Sequence, residues 1–159
     1  MSYIEVNGDI EEKFISIAKT VAEEVIKLMG FSDKLEIAID FVSENEIKNL
    51  NAEFRNIDRV TDVLSFPSFD ISAGEMFDEN SIEAQMSVSE NGFIHFGDMA
   101  LCFEQTQRQA AEYGVTVEDE IKKLVIHSVL HLMGYDHIED EDYEIMNKKE
   151  IELSEKIKI

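Results

Sequence analysis

Eleven residues near the end of the chain read His127-Ser128-Val129-Leu130-His131-Leu132-Met133-Gly134-Tyr135-Asp136-His137. This stretch holds three of the four histidines of the protein. Residues four apart share one face of a helix, with Cβ atoms about 6 Å apart, so His127 and His131 are expected to point the same way. Glycine adopts the left-handed conformation that ends many helices, and a reversal at Gly134 would bring His137 to the same point. Three nitrogen ligands with a fourth position left to water are typical of a catalytic zinc site.

The sequence before the histidines predicts the helix that carries them. Thr116 and Asp119 have the spacing of an N-cap and its capping-box partner, and a mostly apolar stretch follows. The predicted helix runs from Val117 to Met133 and ends at Gly134.

Two other interpretations of the histidines stay open at this point. A single histidine on an apolar helix is usually a hydrogen-bonded core residue, and a structural zinc normally has four protein ligands. The chain has one cysteine, Cys102, and no obvious fourth ligand beyond Asp136.

Metzincin peptidases share this histidine spacing, but they carry a glutamate general base directly after the first histidine. Ser128 occupies that position, and a hydroxyl cannot act as that base, so peptide hydrolysis is disfavoured.

Length and composition favour one globular domain, residues 1–159, in the cytoplasm. The chain has no run of eighteen apolar residues and no basic, apolar leader at its N-terminus, so we expect neither a membrane span nor a secretory signal. A single cysteine fits a reducing compartment. The formal net charge of −21 is unfavourable for binding a polyanion, because phosphate contacts normally need Lys and Arg.

Hydrophobic periodicity predicts alternating helices and strands along the chain. We expect strands at about 4–6, 35–42, 61–66 and 97–103, and helices at about 9–30, 43–55, 104–113, 117–133 and 140–157. Asp9 and Ser43 are the predicted caps of the first two helices. Because strict βαβ regularity is missing, the pattern predicts an α+β fold, with helices packed on a small mixed β-sheet and the histidines on a zincin-like helix.

An acidic surface excursion is predicted at about 68–97. From Pro67 to Asp98, inclusive, the chain has seven acidic residues and no Lys or Arg. We expect an extra hairpin over Met86–Phe96, and we expect His95 to be unrelated to the metal. Pro67, the one proline, is predicted to end the third strand.

Two long motifs give the chain a family resemblance. The stretch from His127 to His137 resembles the signature H-G-x-L-H-L-x-G-Y-D-H of the YbeY endoribonucleases, also called rRNA maturation factors. Residues 50–67, LNAEFRNIDRVTDVLSFP, resemble their second signature, L-N-x-x-[YF]-R-x-x-D-x-P-T-D-V-L-S-F-P, and Gly97-Asp98 resembles their L-G-D-I segment. Ser128 stands where the signature has glycine, Val60 where it has proline, and the acidic excursion is longer than expected.

This resemblance implies a zinc-dependent endoribonuclease that prefers single strands. The implied roles are maturation of the 3′ end of small-subunit ribosomal RNA and ribosome quality control, with possible partners among small-subunit proteins and a ribosome-associated GTPase, and with neither DNA nor membrane as a partner. His127, His131 and His137 are the implied ligands of one Zn²⁺ ion. Zinc lowers the pKa of a bound water towards about 7 and stabilises charge on a phosphodiester oxygen.

The catalytic residues beyond the metal are predicted less directly. Arg55 is a candidate for binding the scissile phosphate, because its planar fork binds phosphate in bidentate fashion; the alternative is a surface residue at the end of the second helix. Asp136 is a candidate general base, or a carboxylate that orients an imidazole. Basic residues near the second helix and the histidine helix are candidate phosphate contacts, namely Lys48, Arg55, Arg59, Arg108, Lys122 and Lys123.

Two other classes of function remain open from sequence alone. The metal site could hydrolyse a substrate other than RNA, such as a small ester. The protein could instead be a ribosome-assembly factor with little cleavage activity, which binds basic partners through its acidic surface. Zinc-dependent cleavage of single-stranded RNA separates the endoribonuclease from both.

Overall fold

The computed structural model describes residues 2–71, 74–136 and 140–159. Its helices and strands are β1 (Tyr3–Asn7), α1 (Glu12–Leu28), β2 (Leu35–Val42), α2 (Glu44–Arg55), β3 (Val63–Pro67), α3 (Ile82–Met86), β4 (Ile94–Cys102), α4 (Phe103–Tyr113), α5 (Val117–Met133) and α6 (Asp140–Lys156). None of the helices in these ranges is long and apolar enough to cross a membrane.

The strands form one sheet of four, in the order β1-β2-β4-β3. β1 and β4 both pair in parallel with β2, whereas β3 pairs antiparallel with β4. The sheet is therefore mixed, and β3 is an edge strand that pairs with β4 on one side only. Helices packed on a small mixed sheet confirm the predicted α+β fold.

The main core lies on the side of the sheet that α1 and α5 cover. Strand β2 alternates strictly, with Leu35, Ile37, Ile39 and Phe41 buried and the residues between them more exposed. A smaller apolar cluster around Ile47 lies under α2, against β3 and β4. Helix α5 contacts α1, α4, α6 and β3, so the helix that bears the histidines is held by neighbours on several sides.

Helix α5 packs closely on the sheet at Gly97 of β4. A Cβ atom at this position would lie 2.6 Å from Leu132 Cδ2 and 3.0 Å from the carbonyl oxygen of Phe66. No real side chain tolerates the first distance without movement. The glycine of the Gly97-Asp98 motif therefore allows α5 to pack tightly on the sheet.

Both predicted ends of α5 are confirmed. The hydroxyl of Thr116 accepts a hydrogen bond from the backbone N–H of Asp119 at 3.0 Å. Gly134 has φ 111° and donates its N–H to the carbonyl of His131. A Cβ at Gly134 would also lie 2.8 Å from the carbonyl oxygen of Glu75, so the position is restricted to glycine by conformation and by space.

The prediction for the segment between β3 and β4 is wrong in two respects. The expected hairpin is absent from the described residues; a short helix, α3, precedes β4, which begins at Ile94 and contains His95. The segment is also more than a surface excursion. Phe77 is 7% exposed, packs its ring against Phe96 at 4.7 Å, and donates its backbone N–H to the carbonyl of Met133 at 2.8 Å. This segment therefore covers the C-terminal end of α5.

Two predicted boundaries also need correction. The N-cap of α1 is Glu11 rather than Asp9, and the Glu11 side chain makes no capping hydrogen bond. Pro67 is the last residue of β3, paired with Gly97, instead of lying beyond the strand. A proline is tolerated there because it is at the end of an edge strand.

Candidate active site

A cleft of about 600 Å³ lies between the edge strand β3 and helix α5. Along α5 its lining runs from Lys123 through His127 and His131 to Gly134. One end of the cleft is lined by residues 69–71 and 134–136, and the other by the C-terminal part of α4. Arg55, from α2, lines it from the side of β3. The cleft thus brings together residues from both motifs.

The two imidazoles of α5 face each other across a short distance. His127 Nε2 and His131 Nε2 are 3.0 Å apart, and the two rings are nearly perpendicular at 85°. The other nitrogen of each ring, Nδ1, lies within hydrogen-bond distance of an oxygen atom. His127 Nδ1 lies 2.9 Å from Glu150 Oε1 of α6, and His131 Nδ1 lies 2.9 Å from the carbonyl oxygen of Tyr135.

These partners define the state of the two rings. An ionised carboxylate and a carbonyl oxygen only accept hydrogen bonds, so Nδ1 carries the proton in both histidines. With Nδ1 as the donor in each ring, both Nε2 atoms can direct a lone pair towards one shared metal ion. Two Zn–N bonds of about 2.0–2.1 Å in a tetrahedral shell place their nitrogens roughly 3.3 Å apart. The observed 3.0 Å is close to this value, so the pair fits zinc.

The third predicted ligand, His137, lies outside the described residues. Among the residues that the structure describes, no group of three or more His, Cys, Asp or Glu side chains has the arrangement of a metal site. The described part of the chain therefore supplies two nitrogens at the candidate metal position. Binding of Zn²⁺ by His127, His131 and His137 stays a prediction.

Arg55 reaches the cleft from the last turn of α2. Its guanidinium donates to the carbonyl oxygen of Ser65 at 2.7 Å and to that of Phe54 at 3.3 Å. The guanidinium carbon also lies 5.5 Å from the centre of the Phe66 ring. Arg55 is thus fixed against β3 by neutral partners, beside the cleft that contains the histidines. Arg55 is the last residue of α2 and is exposed, and the left-handed C-cap that follows it is Asn56, with φ 60°.

The structure also locates Asp136 and most of the basic residues that were candidate phosphate contacts. Asp136 is partly buried and lines the cleft beyond Gly134. Of the six basic residues proposed as phosphate contacts, Arg55 and Lys123 line the cleft. Arg108 is paired with Glu44 on the surface, and Lys122 donates to the carbonyl of Ser154 at 2.7 Å.

His95 is not among the residues that line the cleft. Its Nδ1 lies 3.0 Å from Glu36 Oε2, on the neighbouring strand, and its Nε2 lies 3.1 Å from Asp98 Oδ2. Burial lowers the pKa of His95, but hydrogen bonds to Asp98 and Glu36 and their negative charges outweigh it, so the pKa is raised. His95 is therefore a bridge between two carboxylates on the sheet, separate from the candidate metal site.

Comparison with known proteins identifies the family. The family model described as Endoribonuclease YbeY matches residues 3–158. The chain belongs to the YbeY family. A protein named endoribonuclease YbeY from Clostridium botulinum (strain Eklund 17B / Type B) is 40% identical over 147 residues, covering 91% of this chain and 89% of the relative. Its counterpart from Desulforamulus reducens is 36% identical over 150 residues, covering 94% and 90%.

A solved structure supports the same assignment. The solution structure of TM1509 from Thermotoga maritima matches with a TM-score of 0.60 and 30% identity, covering 96% of this chain and 87% of that one. The predicted family and the predicted enzyme class, endoribonuclease, are thereby confirmed.

Ser128, a departure from the YbeY signature, has a clear structural role. It is fully buried, and its hydroxyl forms a hydrogen bond of 2.7 Å with the hydroxyl of Ser65. The bond joins α5 directly to β3, the two walls of the cleft. Ser128 does not line the cleft, which agrees with the conclusion that it cannot replace the glutamate base of a metzincin.

Glu150 and Tyr113 are two site residues that sequence reasoning missed. Glu150 lies in α6, a helix rich in acidic residues, and nothing in its spacing distinguishes it from its neighbours. Tyr113 precedes the helix-ending Gly114 and has no motif around it. Only the packing of α6 and α4 against α5 shows that both belong to the site.

Proposed function

We propose that this YbeY-family protein is a zinc-dependent endoribonuclease that prefers single-stranded RNA. Its proposed roles are maturation of the 3′ end of small-subunit ribosomal RNA and ribosome quality control. The observation that carries the proposal is the convergence of two imidazole Nε2 atoms, 3.0 Å apart, with a guanidinium in one cleft. Relatives named endoribonuclease support RNA as the substrate.

The metal would be held by His127, His131 and His137. When bound, zinc supplies a Lewis acid for a phosphodiester oxygen and activates water near neutral pH. The chain itself contributes the orientation of two of the rings, since Glu150 and the carbonyl of Tyr135 each hold one Nδ1–H.

Arg55 is proposed to bind the scissile phosphate. Its contacts with two carbonyl oxygens and an aromatic ring fix the guanidinium without neutralising it. A guanidinium has five N–H donors in a planar fork, so it can bind phosphate while it keeps these two contacts. Asp136, in the same lining, is proposed to accept a proton during the reaction or to orient an imidazole.

The preference for single strands agrees with the shape of the site. The side chain of His127 is 31% exposed and lies along the wall of a cleft between a helix and a strand. A phosphodiester must enter this cleft to reach the imidazoles, and a single strand can do so without opening a duplex.

We also propose a cytoplasmic location and assembly with small-subunit ribosomal proteins and a ribosome-associated GTPase. The net charge of −21 supports contacts with basic ribosomal proteins.

The test combines metal analysis with an RNA cleavage assay on the purified protein. We expect about one zinc ion per chain, as three histidine ligands require, and cleavage of single-stranded RNA that is lost in His131→Ala. Arg55→Glu should abolish cleavage with zinc content intact, and Arg55→Lys should recover only part of the activity because an ammonium lacks the bidentate fork. His95→Gln is the matched control and should keep both zinc and activity.

The results also separate the alternatives. Protein without metal after preparation free of chelators, and without uptake of added zinc, would contradict the proposed site. A zinc-loaded protein that binds RNA without cleaving it would be an assembly factor. Hydrolysis of small esters with no effect on RNA would indicate a different substrate class.

A further inference from the structure

The end of the cleft formed by α4 holds an aromatic ring and a cation that the proposed chemistry does not use. Tyr113, the last residue of α4, is 58% exposed and lines the cleft. Lys123 Nζ lies 4.8 Å from the centre of the Tyr113 ring, and Lys123 lines the cleft as well. A large ring that remains this exposed contributes little to the core.

The position of Lys123 follows from the same helical spacing as the histidines. Lys123, His127 and His131 are four residues apart, so they lie on one face of α5, about 6 Å from one to the next along its axis. Lys123 therefore lies one turn before the candidate metal position, at the same wall of the cleft. A strand of RNA with a phosphate at the histidines would have its neighbouring nucleotides along this wall.

The charged residues of the cleft also distinguish the position of Lys123. Asp62, Asp70 and Asp136 line it, and Arg55 and Lys123 are the Lys or Arg side chains among its described lining residues. In a protein with a net charge of −21, these two cations are where phosphate groups can be accommodated.

We propose that Tyr113 and Lys123 form a nucleotide subsite for single-stranded RNA, in which a base stacks on the tyrosine ring and a phosphate contacts the ammonium group. This proposal rests on the proposed function. Proteins that bind single strands combine aromatic rings, on which bases stack, with cations that follow the backbone. Because every base has a π-face, the subsite should accept all four bases.

The surroundings hold α4, which carries the ring, in place and leave the cation largely exposed. The Gln109 amide, one turn before Tyr113, donates to Asp62 Oδ2 at 3.1 Å and to Glu120 Oε2 at 3.0 Å, which ties α4 to the start of β3 and to α5. The side chain of Lys123 is 58% exposed, and its Nζ lies 3.9 Å from Glu120 Oε1, so this ion pair is loose. The ammonium is therefore accessible to a phosphate, and Glu120 keeps its hydrogen bond from Gln109 if the ammonium turns away.

A tryptophan reporter tests stacking directly, because the natural chain contains no tryptophan. The Tyr113→Trp protein is mixed with a single-stranded oligoribonucleotide in a stopped-flow instrument, so that binding is resolved before turnover. We expect quenching of the indole fluorescence with the normal oligonucleotide and little quenching with one that is abasic throughout. Tyr143→Trp, at an equally exposed position on α6 (57%), is the matched control and should not respond.

Steady-state cleavage gives the second measurement. Stacking is worth about 1–3 kcal/mol per base, so Tyr113→Ala should raise KM about 5- to 150-fold, with kcat and zinc content unchanged. Tyr113→Phe should keep the parental KM. Lys123→Gln should raise KM and make the log–log slope of binding against salt shallower by about 0.7. Lys13→Gln removes a similar cation–π contact, with Phe14 on α1, and should change neither quantity.

The outcomes separate this proposal from the proposed function. If the protein cleaves RNA but the Tyr113→Trp reporter is not quenched and Tyr113→Ala keeps its KM, the subsite is refuted and the endoribonuclease stands. If the protein does not cleave RNA but the reporter is quenched by normal and not by abasic strands, the subsite stands and the cleavage proposal fails. A loss of kcat and zinc in Tyr113→Ala, without a change in KM, would show that Tyr113 only supports the structure.

Discussion

Removing the carboxylate of Glu150 should weaken zinc binding without removing a metal ligand. Glu150 Oε1 lies 2.9 Å from His127 Nδ1, and their side chains are 21% and 31% exposed. A carboxylate in this position fixes the tautomer and the ring orientation that leave Nε2 free for the metal, and it makes that nitrogen more basic. Glu150 is therefore a positioning residue that acts through His127.

The expected size of the effect follows from the geometry. Losing such a partner costs about 10- to 100-fold in metal affinity, or roughly 1.4–2.7 kcal/mol. Glu150→Gln keeps an oxygen that can accept the Nδ1–H bond but loses the charge, so we expect about a tenfold loss of zinc affinity. Glu150→Ala removes the acceptor as well, and its loss should approach 100-fold.

The measurement is a zinc dissociation constant, obtained by competition with a chromophoric chelator. Glu152→Gln is the matched control: it lies on the same helix, pairs with Lys149 and Lys156, and should leave zinc affinity unchanged. Thermal unfolding of the metal-free proteins shows whether α6 still packs on α5. An unchanged zinc affinity in Glu150→Ala, or an equal loss in Glu152→Gln, would refute the role of this hydrogen bond.

Four further substitutions or titrations probe other contacts of the cleft and the sheet. Asp136→Asn separates the two proposed roles: loss of a general base lowers kcat with zinc affinity intact, whereas loss of an imidazole partner weakens zinc binding, and both are measured on one preparation. Because the pKa of His95 is raised in the folded protein, protonated His95 stabilises the fold fully below about pH 6.5, and this stabilisation is lost as the pH rises through the folded pKa. In chemical denaturation, His95→Gln should therefore lower the free energy of unfolding by less than about 1 kcal/mol near pH 5.5 and by almost nothing near pH 9. Gly97→Ala would push against Leu132 and should lower stability by about 1–3 kcal/mol, seen as a drop in Tm of roughly 2–12 °C; no drop would mean that the Leu132 side chain can shift to make room. With two cations in the cleft, the log–log slope of RNA binding against salt should be about −1.4, and Asp70→Asn should tighten binding roughly twofold at low salt; a much steeper slope would place the RNA elsewhere.

Helix α5 could be predicted residue by residue because its information is local. The cap at Thr116, the apolar periodicity and the glycine after Met133 act within one or two turns of the chain, and the observed bounds agree with the prediction. The facing of His127 and His131 follows from the same geometry.

What the sequence did not reveal depends on contacts between distant segments. Phe77 lies in an acidic stretch without periodicity, and its burial depends on rings from other parts of the chain, including Phe31 and Phe96. The early start of β4 depends on pairing with β2, whose register shifts between Glu36 and Ile37. Glu150 is one acidic residue among many until α6 is packed on α5.

The net charge of −21 and an RNA substrate are compatible because of how individual cations are held. Lys149 and Lys156 share Glu152, and Arg108 is paired with Glu44, so their charges are largely cancelled by fixed carboxylates. Arg55 is held instead by two carbonyl oxygens and the ring of Phe66, and it forms no ion pair within the part of the chain that the structure describes.

A cation held by neutral partners keeps its full charge for an incoming phosphate, whereas a paired one must first give up its carboxylate. The acidic surface disfavours RNA in general, whereas Arg55 offers a cation with neutral partners beside the histidines. An average charge that opposes RNA binding thus favours one entry route, past Arg55 and towards the histidines, over non-specific binding to the rest of the surface.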